Sequence, residues 1–205
     1  MTDTVTDTER GQLVLSREER LVLAEHSAEW QQMATLWSTA KALADPVNSI
    51  APDAVRGKPG AIFAMLLMGR DLGLTPSQAL LQLYVVRGRV AMSAQLMRAM
   101  IYRAGHKLEY VERNSERCVL RGTRTDGATL EVAWDLERAA GVEADEKGQH
   151  LLDKANWRNY PAAMLDARAT AELARALFPD VLVWAAYTPE ELSGGTEVAD
   201  ADLGE

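Results

Sequence analysis

Cysteine occurs once in 205 residues, at Cys118. A single thiol cannot close an internal disulfide, so the fold is expected to rest on its core, as in a reducing cytosol. The three histidines, His26, His106 and His150, lie far apart, and no HxH or CxxC spacing is present. The common metal-ligand patterns are therefore absent. So are GxxxxGKS and GxGxxG, the loops that cradle phosphates, and the GxSxG elbow that presents a nucleophilic serine. No apolar run approaches the roughly 20 residues a membrane helix needs. The polar start MTDTVTDTERGQ does not read as a signal peptide. Together these absences lead us to expect a cytoplasmic protein with no metal, nucleotide or other cofactor, no contact with a membrane and no catalytic set.

What is present is a globular composition. Apolar residues make up 47% of the chain, with five tryptophans, five tyrosines and eight methionines. The length suits one domain with a real core. The net charge of −8 conceals a segregation. Twelve bases and four acids fall between Ala54 and Thr125, so that span carries +8 and the remainder −16. Inside it runs GLTPSQALLQLYVVRGRVAMSAQLMRAMIYRAGH, Gly73 to His106, with four arginines, one histidine and no acid. Charge separated in this way suggests a basic surface for a polyanion, unless the charges intermix once folded.

Periodicity predicts a helix over 17–43, with Leu21, Leu23, Trp30, Met33, Leu36 and Leu43 as its apolar positions. Asp45-Pro46 breaks it. Pro59 opens a second helix with a buried stripe of Ile62, Met65, Leu66, Gly69 and Leu72. TPSQ at 75–78 is a capping box for a short third helix. Leu83–Val86 and Val90–Met92 then form a hairpin around Arg87-Gly88-Arg89. Ser93 caps a helix with Leu96, Met97, Met100, Ile101 and Ala104 inward, stopped by Gly105.

Three strands follow, KLEYVER, RCVLRGT and ATLEVAW, with turns at Asn114-Ser115 and Asp126-Gly127. Leu130, Val132 and Trp134 share one face. Asp135 starts a short helix, and residues 142–153 read as polar and mobile. An alanine-rich helix runs from about Pro161 until FPDV ends it, and Thr188 caps another start. The expected fold is α+β: a small antiparallel sheet, hairpin plus three-stranded meander, packed with helices in a single domain over 17–192. Residues 1–16 are expected to be a flexible N-terminus. Residues 193–205, SGGTEVADADLGE, are expected to be a disordered acidic tail.

Candidate binding residues are the bases without obvious acidic neighbours. Arg87 and Arg89 flank the hairpin tip. Arg98 and Arg103 sit on the following helix. Lys154 and Arg158 precede the long helix. Arg168 and Arg175 lie seven apart on it, hence on one face. Phosphates require such fixed positive charges, and single strands also stack on aromatic faces, for which Tyr84, Trp157 and Tyr160 are at hand. Structural duties compete with each of these: Arg168 can pair with Glu172 one turn away, and Trp157 and Tyr84 can be core. The carboxylates Glu109, Glu131 and Asp135 raise the alternative of a metal-dependent nuclease. Cross-strand pairing of Glu109 and Glu131 with Arg117 and Arg121 accounts for them without catalysis.

The stretch Gly73–His106, the run WRNYPAAMLDARATAELARALFPDV from Trp157, and YTPEEL after it resemble phage recombinases of the RecT and Red-beta type, the single-strand annealing proteins. The resemblance covers roughly 58–192. It implies binding of single-stranded DNA and ATP-independent pairing of complementary strands, in phage or prophage recombination inside a bacterial cell. It also implies a homo-oligomeric ring or filament, holding the strand and then the annealed duplex in a basic groove built from hairpin, sheet and long helix. A partner exonuclease or single-strand-binding protein is a further expected contact. The alternative within the same fold is a single-strand-binding or replication accessory protein that does not anneal.

Overall fold

The computed structural model describes residues 17–46, 51–86, 88–143, 149–182 and 187–189, with the side chains of 17–26 left aside. The expected N-terminal segment 1–16, the acidic tail 193–205, and Arg87 lie outside the described residues, as do the side chains of Leu21 and Leu23.

Helix α1 spans Arg17–Leu43 and α2 spans Pro59–Asp71. Proline at the first helical position costs α2 no hydrogen bond. All five expected stripe residues of α2 are buried, Ile62, Met65, Leu66 and Gly69 within the helix and Leu72 at its C-cap. Gly69 faces Ala79 so closely that an added Cβ would stand 2.5 Å from the alanine methyl. That approach seats α3, Pro76–Gln82, across the end of α2. The capping box of α3 forms as expected: Gln78 N–H donates to Thr75 Oγ1 and Thr75 N–H to Gln78 Oε1.

Strands β1 (Leu83–Val86) and β2 (Arg89–Met92) pair antiparallel. Gly88 carries the turn with φ +79, a left-handed value that a side chain would strain. The Ser93 hydroxyl caps α4, Ala94–Arg103, by accepting from Leu96 N–H. Leu96, Met97, Met100 and Ile101 are buried. Ala104, expected inward, is exposed, because the helix has already ended and its N–H closes back on Met100.

Strands β3 (Lys107–Arg113), β4 (Arg117–Thr123) and β5 (Thr129–Asp135) form a separate antiparallel meander. The hairpin and the meander are thus two small sheets of an α+β fold, not one continuous sheet. The inner face of the meander presents Cys118, Leu120, Val132 and Trp134, all buried, whereas Leu130 at its edge is 36% exposed. Helix α7, Pro161–Leu177, lies across this face. Its buried alanines, Ala169, Ala171 and Ala174, let it approach closely. Gly122 of β4 leaves room for Leu177 and Phe178: an added Cβ would sit 2.8 Å and 2.9 Å from them. Phe178 in turn stacks on His106, with ring centroids 5.0 Å apart.

Two connecting segments depart from expectation. Within 142–153, Glu143 bridges His150 and a 3-10 turn over Leu151–Asp153 buries Leu151. Leu151, with Val142 and Leu152 packed against the core beside it, pins this otherwise polar stretch; residues 144–148 lie outside the described residues. Before α7 a short α6, Ala155–Asn159, follows on from α5, Leu136–Ala140, and that turn. FPDV ends α7 as expected, with Phe178 as its C-cap. Pro179 starts α8, Pro179–Leu182, because a proline is tolerated at a first turn.

Candidate nucleic-acid interface

The buried apolar residues form one cluster running from α2 through α4 and the meander to α7. The expected binding residues distribute around it unequally. Arg89 is exposed beside the hairpin turn, opposite Val86. Tyr84, 41% exposed, faces Ala91 on the same hairpin.

Arg98 turns inward. Its Nη1 donates to Asp166 Oδ1 and to Thr170 Oγ1, each at 2.9 Å, joining α4 to α7. Asp166 is 5% exposed and is the hub of this contact. The Tyr110 hydroxyl donates to Asp166 Oδ1 at 3.0 Å, and Arg113 Nη2 reaches Oδ2 at 3.4 Å. Two cations around one buried carboxylate satisfy it and leave one net positive charge. Burial, and then the charge of Asp166, push the Tyr110 phenol up to about 12. The same two causes push the Cys118 thiol up to about 11. Arg103 is exposed, and its Nη2 donates to the Leu72 carbonyl at the C-terminal end of α2. A cation there also suits the helix dipole.

The segment before α7 holds a different arrangement. Lys154 precedes α6, half-buried, and Arg158 is exposed one turn later. Neither forms an ion pair among the described residues. The neighbouring Asp153 directs Oδ2 to the backbone N–H of His150. Tyr160, 67% exposed, follows directly. Two cations and an aromatic face thus lie within seven residues. Trp157, between them in sequence, is 2% exposed and belongs to the core, because α6 must anchor itself through that ring.

The long helix presents no cationic stripe to solvent. Arg168 is 6% exposed, held over the Trp134 ring at 5.6 Å. Glu172, expected as its partner, accepts instead from Trp134 Nε1 at 2.7 Å and from Arg138 Nη2 at 2.8 Å. The reason is orientation: residues 168 and 172 share the face that α7 lays on β5, where Trp134 and Arg138 meet them. Arg175 is half-buried over the Tyr187 ring at 5.0 Å. Period 3.6 placed Arg168 and Arg175 on one face correctly, but nothing in that spacing said the face was the packed one.

On the outer face of the meander Glu109, Arg121 and Glu131 stand abreast in register. Arg121 binds Glu131 at 2.7 Å. Arg117 finds Glu112 at 3.7 Å, not Glu109 or Glu131, since a bulge at Val111 shifts the pairing there. Asp135 caps α5 by accepting from Arg138 N–H. Of the carboxylates weighed for a nuclease, Glu131 is held in a pair and Asp135 in a cap, while Glu109 faces Arg121 across the strand, and no three potential ligands converge among the described residues.

Two contacts escaped the sequence. Asp166 has no base three or four residues away on α7 to flag it, and its cationic partners, Arg113 and Arg98, come from 53 and 68 residues away. Arg124 binds Asp180 through two hydrogen bonds of 2.7 and 2.8 Å and ties the end of β4 to α8. Set against known proteins, the chain matches no family model, no curated sequence and no solved structure.

Proposed function

We propose that this protein binds single-stranded DNA and anneals complementary strands without ATP. The observation that carries the reading is the pair Lys154 and Arg158 beside the exposed ring of Tyr160. Sequence-independent binding of a single strand needs cations for phosphate and a flat face for bases, and this is where both are offered together. The hairpin adds Arg89 and Tyr84 from a stretch of sequence without acids.

Annealing asks that two strands be held at once, which an oligomer supplies. Helix α1 supports this part of the reading. Its residues 27–32 are exposed, Trp30 by 73%, and Trp37 on the same face by 39%. Trp37 packs edge-on against Phe63 of α2, which leaves Trp30 as the exposed apolar surface of the kind that subunit contacts cover.

The test is an annealing assay on two labelled complementary oligonucleotides, without ATP, once with magnesium and once with chelator. The expected result is accelerated duplex formation in both. Binding without acceleration would reduce the function to strand protection. Magnesium-dependent shortening of the strands would replace it with nuclease chemistry.

A further inference from the structure

The acid-free run does more than shape the hairpin. Its two helices enclose a pocket of about 350 Å³ between the α2–α3 connection and α4. Leu74, Leu96 and Met100 make its apolar floor, and Ala99 opens it to solvent. Three glutamines, Gln78, Gln82 and Gln95, ring it. Arg103, which donates to the Leu72 carbonyl, is the one cation in its wall among the described residues. Gln78 and Gln82 already accept through Oε1, from the Thr75 N–H and the Ser93 hydroxyl, and present their amide donors; Gln95 offers both donors and acceptor, the complement of a peptide backbone. Gln95 makes no side-chain hydrogen bond among the described residues. One cation, three amides and an apolar floor do not suit a polyanion, which needs a line of charges and a ring to stack on. They suit an extended peptide with acidic and apolar residues in alternation.

The chain carries such a segment. Residues 193–205 hold four acids, no base, and two larger aliphatic residues, Val198 and Leu203. The described chain stops close to the pocket. Tyr187 O accepts from Met92 N–H, and Met92 adjoins Ser93, whose N–H and hydroxyl both bond Gln82. Gln95 is two residues further on. The exit point and the pocket's hairpin end are thus about 10 Å apart by chain geometry. Sixteen residues follow Pro189. Extended, they reach roughly 50 Å, far more than the span requires.

We infer that the acidic segment 193–205 docks in cis into the pocket between α3 and α4, with carboxylates toward Arg103 and Val198 or Leu203 on the apolar floor. The test places a photo-crosslinker on a cysteine introduced by Thr196→Cys. Cys118 is fully buried and its thiol is held up at about 11, so the reagent selects the new site. Mixing with isotope-labelled protein lacking the crosslinker separates contacts within a chain from contacts between chains. Crosslinks within one chain to residues 74–103 are expected. Ala99→Glu and Gln95→Glu, both at exposed helix positions, should each lower their yield about threefold or more, the scale of one surface like-charge contact. Crosslinks elsewhere, crosslinks only between chains, or yields unchanged in both variants would overturn the inference. So would hydrogen-exchange protection of 74–103 by a dT oligonucleotide in a variant lacking 193–205, with no crosslink in the full chain; that result would assign the pocket to nucleic acid. The main arm contains no DNA, so its outcome is separate from that of the annealing assay.

Discussion

Arg158 and Asp166 show the two fates open to charge in this molecule. Arg158 is exposed and forms no ion pair among the described residues. Arg158→Ala should weaken binding to single strands of any sequence and reduce the magnitude of the salt slope by about 0.7, one phosphate contact. Its melting temperature should hardly move. Titration with oligonucleotides at several salt concentrations checks this, and an unchanged slope would remove Arg158 from the interface. Asp166→Ala does the opposite. It leaves Arg98 and Tyr110 facing a buried void, and should cost about 3 kcal/mol in a denaturant titration. The same cluster sets the alkaline limit. Tyr110 and Cys118 both ionise at higher pH when folded than unfolded, so their contribution is complete below about 9. It is lost as pH rises through about 11 for the thiol and about 12 for the phenol. Asp180 marks the acid side: hydrogen bonds from Arg124 hold its carboxyl at about 2, so its contribution is present above the usual carboxylate value of 3.8 and fades as pH falls toward 2. Stability measured across pH should fall at both ends, and Tyr110→Phe should soften the loss between about 10 and 12.

Between elements, small residues decide what can touch. Gly69→Ala would force the new methyl into Ala79 and push α3 off α2. Overpacking of this kind should cost about 1–3 kcal/mol, readable as a lower melting temperature. The double change Gly69→Ala with Ala79→Gly should recover most of it, since the volume is returned across the same contact. Elements of this kind were legible in the sequence wherever a local rule governs them. Pro59, the Thr75–Gln78 box, Ser93 and Asp135 each mark a helix start that the structure repeats. Gly88 marks the hairpin turn, and the alternation in β4 and β5 marks the inner face. What local rules cannot say is which face of α7 meets the sheet. Arg168 and Arg175 look alike as sequence, yet one is enclosed and the other only half so. Val142, Leu151 and Leu152 outweighed the polarity of their neighbours for the same reason: burial is a property of where a segment lands as well as of its composition.

At the scale of the whole molecule, charge is sorted. The span 54–125 is basic and the flanks are acidic. Removing residues 193–205 takes away four acids and should lower the melting temperature only slightly, by the loss of the docking contacts. Affinity for single strands should be equal or higher, because a source of repulsion has gone. A clear fall in melting temperature would mark that segment as structural. The placement of α7 has a further consequence in time. The meander closes among its own neighbours, but the helix that covers its inner face begins 26 residues after Asp135 and ends at Leu177. At a synthesis rate of about 5–20 residues per second, the nascent sheet waits roughly two to eight seconds with Leu120, Val132 and Trp134 uncovered. During that interval the protein is most exposed to aggregation, and a chaperone that binds aliphatic strands would find its substrate in the emerging chain between Asp135 and Leu177.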